Sequence, residues 1–171
     1  MNIRNLVSSL VVVLVLASPA LAADANTLPD PIRRAVDLLR LSSDQVPPIV
    51  VVDKRPPELE AINPNAYAWV ELDQEGNPIP PIYVLSTTPI YRGAKDQDYQ
   101  SLVLLAGSLA HEREHLLSGS IDDEQPYATQ LAVMEMLRAS DKSISIIQRS
   151  LQYVRALKKK AAATTQVRAS N

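Results

Sequence analysis

Apolar and polar residues change their spacing about halfway along the chain, from short runs broken by proline to a helical period. Asp30-Pro31 opens a first helix, with a capping side chain followed by proline at the first helical position. Ile32, Ala35, Val36, Leu38 and Leu39 form its apolar stripe, which runs out at Ser42-Ser43. Pro47-Pro48 breaks the chain, and the β-branched run Ile49-Val50-Val51-Val52 reads as a buried strand. Pro56-Pro57 marks a loop. Two further strands are expected at 66–72 and 82–86, joined by turn residues 73–77 that include Gly76. Prolines at 78, 80 and 81 would confine the second of these to an edge position, at least at its start.

After a loop over 87–96 the pattern predicts three helices, at about 98–117, 123–139 and 141–158. Ser118-Gly119-Ser120 and Ser140-Asp141 separate them. No internal repeat is visible. The expected architecture is one α+β domain over residues 23–160, a small twisted sheet packed on the 98–117 helix and followed by a helical C-terminal half. The Ala-, Thr- and Ser-rich end, 161–171, is expected to be a disordered tail.

Composition changes this picture at the two ends. Residues 1–22 read as a secretory signal peptide: Arg4 is its one charge, an apolar stretch follows from Leu10 to Leu16, and Ala20-Leu21-Ala22 gives the small-x-small cleavage pattern. The expected mature protein begins near Ala23, is exported to the periplasm or beyond the cell, and keeps no stable membrane insertion after cleavage. There is no cysteine, which excludes disulfides. Phenylalanine is absent as well, so the core must rest on Leu, Ile, Val and Ala. The formal charge of −2 becomes −3 without Arg4, and nothing in it suggests a nucleic-acid partner. From Arg138 onward eight basic residues face one acid, Asp141, which reads as a solvated basic face on the last helix.

The chemistry is concentrated in His111-Glu112-Arg113-Glu114-His115. Histidines four apart on a helix project from one face, so both imidazoles can reach one metal ion. Imidazole is a good zinc ligand. Glu112 lies beside that face and can hold a metal-bound water and take its proton. These are the chain's only histidines, and Leu102, Leu105, Leu109 and Leu116 form a stripe that would anchor their helix. Gly107, one turn earlier, would let a neighbouring backbone come close. A catalytic zinc site needs a third protein ligand and an open position. With no cysteine and no further histidine, that ligand must be a carboxylate. Glu124 is the expected one, because it has the longer reach and begins the next helix, leaving Asp122 or Asp123 as the N-cap. The set predicts one Zn2+ per chain.

His111, Glu112, His115 and Glu124 together resemble the zincin superfamily of zinc metallopeptidases, in a minimal glutamate-zincin form. The likeness covers about thirty residues. It implies that His111, His115 and Glu124 bind zinc while Glu112 acts as general base and acid in peptide hydrolysis. It also implies a zincin-like sheet against the active-site helix, with Tyr83–Ser86 as the edge strand on which an extended peptide or protein substrate lies. Two features depart from the family: Ile121 stands where a longer signature has a third histidine, and Ala128 where an acid often orients one. Support for the ligands would then come from Asp122 or Asp123. Tyr127, Tyr91, Arg92 and Lys95 are candidate oxyanion donors. The alternative function is a non-catalytic zinc-binding or interaction module of the cell envelope that keeps the fold without turnover.

Overall fold

The protein is described by a computed structural model over residues 27–169; the expected signal segment and the start of the mature chain lie outside the described residues. Helix α1 (Asp30–Leu39) starts at the Asp-Pro pair, but Asp30 does not cap it. Its carboxylate pairs with Arg33 and Arg34 on the exposed side instead. The opposite face buries Ile32, Ala35 and Val36. A single 3-10 turn at Ser43–Gln45 leads to strand β1 (Ile49–Val52). The expected loop at Pro56-Pro57 becomes a short helix, α2 (Pro57–Ile62), because proline suits a first helical turn. Strands β2 (Ala68–Leu72) and β3 (Pro78–Leu85) follow.

The sheet order is β1-β3-β2, with β1 parallel and β2 antiparallel to β3. β3 is therefore the central strand, and the expectation that Tyr83–Ser86 forms the edge is corrected. The prolines explain how both facts coexist. β1 pairs only with Ile82 to Leu85, so the proline-bearing start of β3 has a neighbour on one side alone. A missing amide donor costs nothing where no partner strand waits for it. The edge facing the helices is β2.

The second half is helical, as expected, and has one helix more. α3 (Pro89–Lys95) occupies most of the predicted 87–96 loop, with Thr88 as its N-cap accepting from the Tyr91 amide at 3.2 Å. α4 (Tyr99–Ser118) is capped by Asp98, α5 spans Glu124–Met136, and α6 spans Asp141–Ala169. Helix α6 includes residues 161–169, part of the stretch expected as a tail. Ala161 to Ala163 and the lysines before them have high helix propensity, and Arg155 and Lys158 tie this stretch to the body of the protein. From Arg155 to Thr165 every side chain is exposed. Among the described residues no helix is long and apolar enough to cross a membrane.

α4 is central because it packs on α1, α3, α5 and the sheet. Leu102, Leu105, Ala106 and Leu109 join Ile32, Ala35, Ile82 and Val84 in the main core. Burial of each large aliphatic residue contributes roughly 1.5–3 kcal/mol. A second cluster, Val103, Met134 and Ile147, joins α4 to α5 and α6. At Gly107 the close neighbour is a side chain and not the expected backbone: a Cβ there would lie 2.8 Å from Met134 Cγ. The α4–α5 interface is thus tight one turn before the histidines.

Candidate metal centre

His111 and His115 sit on successive turns of α4 near its C-terminal end, and both are buried. Gly119 ends the helix in the left-handed conformation, φ 61°, which a residue without Cβ adopts at least cost. That reversal brings the chain back over the last turn. His115 Nδ1 donates to the Ser120 carbonyl oxygen at 2.7 Å, so in the neutral ring Nε2 carries the free lone pair. Asp122 accepts from the Glu124 amide at 3.0 Å, a local turn at the start of α5. Asp123, one residue on, directs its carboxylate at the histidines and makes no side-chain capping bond.

Three atoms converge. Asp123 Oδ1 lies 3.2 Å from His115 Nε2 and 3.4 Å from His111 Nε2, and the two Nε2 atoms are 3.3 Å apart. Zinc bonds of about 2.0–2.1 Å at tetrahedral angles place neighbouring ligand atoms about 3.3–3.4 Å apart. Three acceptors at this spacing also need a proton or a cation among them to be at ease. His111, His115 and Asp123 can therefore hold a metal ion.

The acid brought to the histidines is Asp123 and not Glu124. The Glu124 carboxylate meets Arg155 Nε at 3.1 Å and Lys158 Nζ at 2.8 Å, and Lys158 also binds Asp122. These two cations from α6 hold the acids on either side of Asp123. A pairing across thirty residues leaves no mark in local sequence, and it holds the Glu124 carboxylate with α6. The one available signal was the excess of base in the last helix.

Electrostatics fit a coupled set. Burial raises the Asp123 carboxyl, but hydrogen bonds and charge from both histidines outweigh it and leave it far below the ordinary carboxylate range. Burial lowers the His115 imidazole, yet the bonds to Asp123 and the Ser120 carbonyl bring the net direction up. Protons and a metal ion thus compete for His115. Burial is also the main cause that holds the Glu112 carboxyl above its usual value, against the opposing charges of His111 and His115. His111 Nδ1 is buried and has no hydrogen-bond partner among the described residues. The Tyr127 ring packs edge-to-face on His111, centroids 4.6 Å apart.

The three converging residues and Glu112 line one cavity of about 390 Å³. Ala66, Tyr67, Ala68 and Trp69 form a wall of it. The Leu85 amide donates to the Tyr67 carbonyl at 2.9 Å, so Tyr67 faces β3. Alternate residues, Ala68 and Val70, then turn their backbone polar groups to the outer edge of β2. Tyr91, Arg92 and Lys95 do not line this cavity, whereas Tyr127 does. Tyr67, Ser108 and Gln130 also line it, and no sequence motif singles them out. Their contribution depends on β2 and α5 meeting at α4. No family model matches the chain, and neither a curated protein nor a solved structure matches it.

Proposed function

We propose that the chain is a zinc-dependent peptidase of zincin-like design, exported by its N-terminal segment, with one zinc on His111, His115 and Asp123 and with Glu112 as general base. One observation carries the reading: a carboxylate lines the same cavity as three converging metal-binding atoms. Two imidazoles and a carboxylate make a donor set that suits zinc. A bound zinc supplies Lewis acidity, polarising a carbonyl and lowering the pKa of water to about 7.

The remaining steps belong to the chain's own groups. Glu112 receives a proton and passes it to the leaving amine, a task helped by a carboxyl held above its usual pKa. The outer edge of β2 offers Ala68 and Val70 backbone groups to an extended peptide, a role first expected of β3. Ser120 keeps the His115 tautomer that leaves Nε2 free. A second reading, a zinc-binding module without turnover, is favoured by the unsupported His111 Nδ1.

Incubation of the zinc-loaded protein with a pool of unstructured peptides decides between the two readings. Cleavage products that vanish with chelator and return with zinc are expected. Zinc-loaded protein that leaves every peptide intact would refute the peptidase.

A further inference from the structure

One helical turn before Glu112 on α4, Ser108 lines the cavity, and α5 contributes Gln130 there. Both are polar, neutral and buried. Ser108 is 5 % exposed and Gln130, from the facing helix α5, is 4 % exposed. Tyr67, from the β2 side, lines the same cavity as both of them. The Ser108 hydroxyl donates back to the Leu104 carbonyl at 3.1 Å.

A carboxamide offers two donor hydrogens and an acceptor oxygen with two lone pairs. Gln130 lines the cavity beside two hydroxyl-bearing side chains, Tyr67 and Ser108. Gln130 also packs against Gly107 beside the fully buried Met134, where an apolar residue would serve packing equally well. A buried amide in such a place costs free energy unless partners use it. The cavity is also lined by the apolar Trp69, Leu59 and Ile147 and by Asn63 and Asn65.

We infer that Gln130, with Tyr67 and Ser108, forms a specificity pocket for a neutral carboxamide side chain, so that the substrate carries glutamine or asparagine beside the scissile bond. This inference rests on the peptidase reading. The chemistry is a match of shape and polarity. A glutamine presents an aliphatic stem to the apolar lining residues and a head that is donor and acceptor at once. Two carboxamides can meet in a pair of hydrogen bonds, as neither a leucine nor a lysine can. A site built to hydrogen-bond its ligand rejects an analogue that leaves its polar groups unpaired.

The test uses paired peptides, identical except for glutamine or leucine at one position, and reads both binding and cleavage by the zinc-loaded protein. The glutamine peptide is expected to bind and be cut at least about 10-fold better. Gln130→Met, close in shape, and Gln130→Leu are expected to erase or reverse that preference while zinc content stays unchanged. Equal handling of the pair by wild type, or a preference that survives in both variants, would overturn the pocket assignment. Preferential binding with no cleavage would leave the pocket standing and remove the peptidase reading, so the two failures are told apart.

Discussion

Glu112→Gln is expected to keep its zinc and to lose peptide hydrolysis by about 10²–10⁴-fold, the usual contribution of a positioned acid or base. The substitution is nearly isosteric, and Glu112 does not belong to the three converging atoms, so metal content should not move. The carboxamide of the variant cannot take up a proton at neutral pH. Steady-state rates on one cleaved peptide, beside zinc content by elemental analysis, give the answer. A variant with full zinc and full activity would remove Glu112 from the chemistry.

The second large effect separates two adjacent acids. Asp123→Ala is expected to weaken zinc binding by more than about 100-fold, because loss of a group that merely supports a ligand already costs about 10–100-fold. Glu124→Ala is expected to change zinc affinity by less than about 3-fold. Its carboxylate serves an exposed pairing with Arg155 and Lys158, and such pairs contribute about 0–1 kcal/mol. Competition titrations with a zinc chelator of known affinity compare the two variants directly. Equal losses would show that both acids approach the metal, and the reverse order would restore Glu124 as the ligand.

The contrast between these neighbours shows where the sequence was legible. The helix carrying His111 and His115 could be read from its period alone, since two imidazoles at that spacing share a face whatever the rest of the chain does. The α+β arrangement and the turn at Gly119 were equally readable, because glycine and proline act locally. The choice among Asp122, Asp123 and Glu124 was not local. It depends on where α6 returns, and Arg155 and Lys158 claim two of the three acids. Strand order failed for a related reason. Prolines mark residues that lack a donor, but only the register with β1 shows that the missing donors fall beyond its end. The helix over 161–169 was hidden because composition alone does not separate an alanine-rich helix from an alanine-rich tail.

Everything proposed for this protein depends on a metal ion held by His111, His115 and Asp123. The most direct measurement is the metal content of the protein purified without chelator, wild type beside His115→Ala. About one zinc per wild-type chain and almost none in the variant are predicted, with both proteins folded by circular dichroism. Wild-type protein that carries no metal even after zinc is added back, or a variant that keeps a full equivalent, would contradict the metal centre.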